Sequence, residues 1–354
     1  MNFLKSPFKK DFFLVSTIII LIVFGLYILN SLSPEIFPQY YIYVFVAFIA
    51  FYVFYGIGFE VLKYFSIHLY IVSIILLILT LIIGRITRGA IRWIPIGGIS
   101  LQPSEIVRPF LMLYFANLIS KYSGKYKNLL LYIPILLIPV VLIAIQPSLG
   151  VSIVTFIGLF VILLVKLFSG KKIVIMLLSM LVVIPSVWFI LKPYQKERII
   201  SFVNYQQDVQ GSGYNTIQSI ISIGSGGLLG RGFRKGFQTQ LKYLPEKHTD
   251  FVFASVSEEM GFVGSIIILI LLFTIYLRVI SYLDSSQDEV YRLFVLGTIT
   301  VFLVETLINI GMNLGLLPIT GLPLPFVSAG GSSLLSSMIF VSILLSGKNG
   351  KKPL

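Results

Sequence analysis

The densest chemistry in this sequence stands in one run, Tyr243-Leu244-Pro245-Glu246-Lys247-His248-Thr249-Asp250-Phe251, with Glu258 and Glu259 close behind. An acid, two potential bases and a cation lie side by side there. Carboxylates crowded at a low-dielectric boundary can be lifted into the working range of a general base. A second group is Gln102-Pro103-Ser104-Glu105 with Arg108. Ser104 has the type of a helix N-cap, and Glu105 sits in a first turn, where the helix dipole favours negative charge. Arg108 falls three residues on, on the same helix face, so a local Glu105–Arg108 salt bridge is the simple expectation. Ionisable residues inside an apolar helix more often face a cavity and serve a function.

Three further stretches could meet an anion. Arg88-Gly89-Ala90-Ile91-Arg92-Trp93-Ile94-Pro95-Ile96-Gly97-Gly98 reads as a loop lying at a membrane interface, with the donor fork of Arg92 suited to a phosphate. Ile223-Gly224-Ser225-Gly226-Gly227-Leu228-Leu229-Gly230-Arg231-Gly232 is glycine-rich, which lets backbone N–H groups approach a phosphate, although such turns are common in loops. Residues 315–333 mix prolines, glycines and hydroxyls, and irregular backbone at membrane depth is tolerated only where it is buried or lines a wet cavity. Glu305 is an intramembrane carboxylate with Asn309 one turn on; a polar contact between helices is its expected role.

The elements that must position these residues are membrane helices. Of 354 residues, 57% are hydrophobic and 12% charged, with mean hydropathy +0.97. A soluble domain carries about 25% charged residues, so soluble enzymes, nucleic-acid-binding modules and disordered chains are excluded. The expected fold is all-α, with ten spans at 12–31, 40–58, 66–84, 103–120, 129–145, 149–168, 173–191, 256–280, 291–317 and 329–346. The chain reads as a single integral membrane domain over 1–354, with a long extracellular loop over about 192–250. The first span reads as uncleaved.

The net charge of +13 fits cytoplasmic flanks rather than nucleic acid. The turns 32–39, 146–148 and 318–328 contain no Lys or Arg, which places them outside and both termini in the cytoplasm. The basic segments near 85–108 and within 192–250 run against that trend, as expected if they meet an anionic substrate. There is no cysteine and there are only two histidines, His68 and His248, so a thiolate or zinc site is not expected.

Three sets of residues together resemble the SEDS family of membrane glycosyltransferases, which includes RodA and FtsW. They are Arg92-Trp93 through Gln102-Pro103-Ser104-Glu105; Ile217-Gln218-Ser219, Gly224-Ser225-Gly226-Gly227, Leu244-Pro245-Glu246, His248-Thr249-Asp250-Phe251 and Glu258-Glu259 with Gly261; and Asn309-Ile310-Gly311-Met312, Pro323-Leu324-Pro325 and Gly330-Gly331-Ser332-Ser333. The similarity spans essentially the whole chain and is closer to RodA than to FtsW. It implies a peptidoglycan glycosyltransferase that joins lipid II units into glycan strands outside the cytoplasmic membrane, for cell elongation and shape, with a class B penicillin-binding protein as partner. The family's essential acid falls on Asp250, and its polar pair falls on Glu105 and Arg108. Ser148 stands where the family usually has Asp, and Ala329 where it usually has an aromatic residue.

The implied chemistry needs a base for the acceptor hydroxyl, assigned to Asp250, and cations for the undecaprenyl diphosphate leaving group. Arg92, Arg231, Lys242 and Lys247 are the candidate cations. Trp93, Gln102, His248, Thr249, Ser332 and Ser333 complete the candidate binding set. Direct displacement would invert the anomeric centre. A divalent cation, Mg or Mn, could assist, without any ligand set evident in the sequence. The alternative is a lipid II flippase, which should show polar groups continuing to the cytoplasmic side and internal repeats.

Overall fold

A computed structural model of the chain describes residues 7–87, 90–96, 99–121, 129–167, 196, 200 and 213–348. The helices follow the apolar runs: α1 (Phe12–Leu32), α2 (Phe37–Ile57), α3 (Ser66–Ile83), α4 (Pro103–Ile106), α5 (Arg108–Ser120), α6 (Leu129–Ile145), α7 (Leu149–Leu167), α8 (Tyr214–Gly226), α9 (Phe237–Gln240), α10 (Val252–Ile280), α11 (Glu289–Asn313) and α12 (Gly331–Gly347). Six helical stretches among the described residues are long and apolar enough to cross a membrane; Tyr132–Ile145 and Gly331–Gly347 are shorter apolar helices. The protein is a multi-pass membrane protein. The expected seventh span, 173–191, lies outside the described residues, as does most of 192–212.

Two expectations change. The fourth span is two helices, α4 and α5, divided at Val107. Pro109 stands in the first turn of the second piece and cannot supply a backbone donor to a continuous helix. The segment expected as an interfacial loop is instead an antiparallel sheet in the order β1 (Arg85–Thr87), β2 (Ala90–Ile96), β3 (Ile99–Leu101). Ile94 pairs with Leu101 and Ile96 with Ile99. Pro95 is tolerated within this short ladder, where its missing donor costs one bond at most.

Between membrane helices there is little hydrophobic driving force, so small residues and polar bonds hold the bundle. Helix α12 is the central post. Every residue from Gly331 to Gly347 is buried, and its serines leave room for close neighbours. Pro139 in α6 leaves the Ile135 carbonyl without its helical donor. The Tyr70 hydroxyl of α3 takes that carbonyl at 2.9 Å, so no orphan acceptor is left in an apolar medium.

Candidate active site

Asp250 closes the loop that enters α10. Leu244, Phe251 and Ala254 form a small core of their own beneath that loop, with Ile223 and Ile319 packed against it. The chain turns at Glu246, whose carbonyl accepts the N–H groups of Thr249 at 3.1 Å and Phe251 at 3.2 Å. Asp250 is half-buried. Its carboxylate faces Gly321: a Cβ added there would lie 3.5 Å from Asp250 Oδ2. Gly321 has φ +75°, a conformation that glycine adopts without strain.

Arg108 does not pair with the Glu105 carboxylate. Its guanidinium Nη1 meets Glu305 Oε1 of α11, and both side chains are buried; Nε donates to the main-chain oxygen of Glu105 at 3.3 Å. The polar contact between helices expected of Glu305 is this ion pair. Ser104 is not the N-cap either. Gln102 occupies that position without a side-chain cap bond, and Ser104 Oγ accepts from Gln102 Nε2 at 3.1 Å. Glu105 is buried, within the electrostatic reach of Arg108, Glu305, Arg92 and Asp250. That places the conspicuous charges of three separate segments in one field.

Hydrogen bonds tie the same segments together. Ser332 Oγ accepts the Gln102 N–H at 2.8 Å, and Ser336 Oγ donates to the Glu105 carbonyl at 2.7 Å. Ser328 Oγ donates to the Thr249 carbonyl at 2.7 Å, while the Ala329 N–H donates to the His248 carbonyl at 2.9 Å. His248 Nδ1 lies 3.3 Å from Ser33 Oγ. Thr249 Oγ1 donates to Glu246 Oε2 at 3.0 Å. Arg92 and Trp93 are half-buried on β2. Ser333 Oγ is buried without a hydrogen-bond partner. Ser148 Oγ takes the second Gln102 amide bond, at 3.1 Å.

The glycine-rich stretch has another use than cradling a phosphate. A Cβ on Gly226 would fall 1.8 Å from the Ser257 carbonyl oxygen, and one on Gly230 2.2 Å from that of Glu259. The stretch therefore lies backbone to backbone on α10. Arg231 N–H donates to Glu258 O and Gly232 N–H to Glu259 O, each at 2.9 Å, and Phe262 N–H returns to Gly227 O at 2.9 Å. The last bond is open because α10 breaks at Gly261, with φ 65° and ψ −161°.

The two glutamates of α10 hold this loop. Glu258 accepts the N–H groups of Gln238 at 2.7 Å and Thr239 at 3.0 Å. Glu259 Oε1 accepts from Ser31 Oγ at 2.7 Å and Gln240 Nε2 at 2.9 Å. Of the candidate cations, Arg231 is exposed and donates to Ser225 Oγ, and Lys242 is exposed. Lys247 is buried and donates to the Thr239 carbonyl at 2.6 Å. Burial pushes its ammonium below the ordinary lysine range, against the opposing fields of Glu35 and Glu259. Among the described residues no three His, Asp or Glu side chains converge to hold a metal ion.

The FtsW/RodA/SpoVE family model, described as cell cycle protein, matches residues 11–352. The chain belongs to this family. Similar relatives include the peptidoglycan glycosyltransferase MrdB of Escherichia coli K12, 36% identical over 290 residues, covering 81% of this chain and 78% of that protein. A probable peptidoglycan glycosyltransferase FtsW of Trichlorobacter lovleyi is 35% identical over 302 residues, covering 84% and 79%. Among solved structures, a chain from work described as "Structural coordination of polymerization and crosslinking by a peptidoglycan synthase complex" has TM-score 0.83 at 28% identity, covering 95% and 97%. Thermus thermophilus RodA shares the fold, with TM-score 0.73 at 24% identity and 98% of both chains covered.

In this FtsW/RodA/SpoVE member, sequence reasoning missed Asn313 as a site residue. The signal was there: it stands four residues after Asn309 in an apolar run, the spacing that puts two side chains on one helix face.

Proposed function

We propose that this chain is a peptidoglycan glycosyltransferase that polymerises lipid II on the outer face of the cytoplasmic membrane, in cell elongation. Family membership and the activity in the names of its relatives support the reaction class. The observation that carries the site is the seam where Ser332 and Ser336 bond the chain at Gln102 and Glu105, while Ser328 and Ala329 bond it at Thr249 and His248, beside Asp250.

The acceptor hydroxyl of one sugar attacks the anomeric carbon of another, and undecaprenyl diphosphate leaves with the bonding pair. Asp250 takes the hydroxyl proton as that bond forms. Attack opposite the leaving group inverts the anomeric centre, so no covalent enzyme intermediate is needed. Arg92 is the cation best set to face the diphosphate, because Arg231 and Lys242 lie on the loop surface and Lys247 is buried against a carbonyl. Glu105, kept beside Arg108, shapes the field around the reacting oxygens. Both termini are cytoplasmic in this reading, and the partner is a class B penicillin-binding protein.

Asp250→Asn keeps the shape of the side chain and removes the base. Purified variant protein given lipid II should make at least about 100-fold less glycan on a product gel, with an unchanged unfolding midpoint. Full polymer from this variant would remove Asp250 from the role. Labelled lipid II crossing proteoliposomes without polymer would instead favour a flippase.

A further inference from the structure

Two asparagines of α11 hold the main chain that presents Asp250. Asn309 and Asn313 are fully buried and one helical turn apart. The Nδ2 of each donates to the Asp250 carbonyl, at 3.0 Å in both cases. Asn309 also donates to the Leu322 carbonyl at 2.7 Å. Asn313 also donates to the Asn309 carbonyl at 2.7 Å. The Asn313 Oδ1 accepts the N–H of Ala254 at 3.0 Å. This N–H lies in the first turn of α10, whose own N-cap, Phe251, offers no side-chain bond.

A buried amide is costly unless its donors and acceptor are paired, and here the donors of both amides are paired around one residue. Leu322 follows Gly321, the residue that faces the Asp250 carboxylate. Asn309 thus joins the two walls of the gap in which that carboxylate lies.

We infer that Asn309 and Asn313 are positioning residues for Asp250. They fix the direction of its carboxylate toward the acceptor hydroxyl and keep the Gly321 wall at its distance. The inference rests on the reading of Asp250 as the base and deepens it.

The amide chemistry suggests a clean variant. Asn313→Asp keeps an oxygen for the Ala254 N–H, and negative charge is favourable at a helix N-terminus. It loses the donors and sets a carboxylate oxygen against the Asp250 carbonyl. The capping survives while the grip on Asp250 is lost.

The test uses the purified full chain with lipid II. Asn313→Asp and Asn309→Asp should each lower kcat about tenfold or more, since a misplacement of about 1 Å costs about 100-fold. KM should stay within about twofold; the unfolding midpoint of Asn313→Asp should fall, because a buried carboxyl group then faces two carbonyls, and kcat is read below that midpoint. Adding Asn313→Asp to Asp250→Asn should lower the residual rate no further, because groups that act as a unit are not additive. A purely structural role predicts a further fall.

Wild-type kcat in both asparagine variants, with Asp250→Asn inactive, overturns the positioning role and leaves the base assignment standing. Full activity of Asp250→Asn overturns the assignment itself. Should Asn313→Asp unfold, Asn309→Ser carries the test, since its hydroxyl retains one donor. Reduced kcat at constant KM supports the inference, and unchanged kcat overturns it.

Discussion

The two ends of α10 handle carboxylates in opposite ways. At its N-terminal end, Glu258 and Glu259 accept from backbone N–H groups, a serine and a glutamine. At the other end, Asp11 caps α1 through the Leu14 N–H at 3.0 Å. Its Oδ2 gathers Arg278 Nε at 2.7 Å, the Tyr282 hydroxyl at 2.8 Å and Lys348 Nζ at 2.8 Å. The first arrangement fixes loop geometry with neutral donors. The second cancels charge and fastens residues near both termini to one helix. Both settings serve assembly: one fixes the loop that leads to Asp250, and the other ties the chain near Asp11 and Lys348 to α10.

The buried Arg108–Glu305 pair is the exception near the site, and it gives the hardest test. Arg108→Ala strands the Glu305 carboxylate among apolar neighbours and should cost about 3–5 kcal/mol, read as a lowered unfolding midpoint. Replacing both residues, Arg108→Met with Glu305→Leu, should recover most of that stability while activity stays lost. If the single and double variants are equally unstable, the charge is not what matters there.

A smaller effect is expected from the glycines of the glycine-rich stretch. Gly230 has φ +80°, and its Cβ would strike the Glu259 carbonyl, whereas Gly224 has nothing within 4 Å. Gly230→Ala should lose about 1–3 kcal/mol. Gly224→Ala, within α8, should be neutral or gain up to about 1 kcal/mol. Equal effects in thermal unfolding would mean that the loop does not lie on α10 as described.

The C-terminal end is probed by pH. Burial raises the Asp11 pKa, but the bonds from Leu14, Lys348, Tyr282 and Arg278 outweigh it and bring the carboxyl from 3.8 down to about 2. A depressed carboxylate pKa stabilises the fold above the unfolded value, and the contribution is lost as pH falls through the folded one. Wild type should therefore unfold at higher temperature than Asp11→Asn above pH 3.8. The two curves should converge as the pH approaches about 2, with activity at neutral pH little changed. Parallel curves would break the contrast between the ends.

The sequence made the helices legible because apolar runs of span length have few other uses. It also marked Glu105, Arg108, Asp250 and Glu305 as charges needing a reason. It could not show that Arg108 reaches α11, since spacing along one helix reports only neighbours on that helix. The glycines misled for a related reason. Close backbone approach is what glycine permits, and the sequence does not say whether a phosphate or another helix makes the approach. Gly261, early in the apolar run of α10, was the hint that the partner is this helix. The β-sheet at 85–101 was hidden because its strands are short and interrupted by glycine and proline.

The break at Gly261 has a mechanical consequence. Below it, α10 turns Phe262, Ile270, Phe273 and Leu277 outward and packs Ile268, Leu272 and Ile275 inside the bundle. Above it, the helix head is bonded to the glycine-rich stretch through Gly227, Glu258 and Glu259. One helix thereby serves two partners: its head carries the loop through backbone bonds, and its shaft is anchored by Tyr276 to Thr306 and by Arg278 to Asp11.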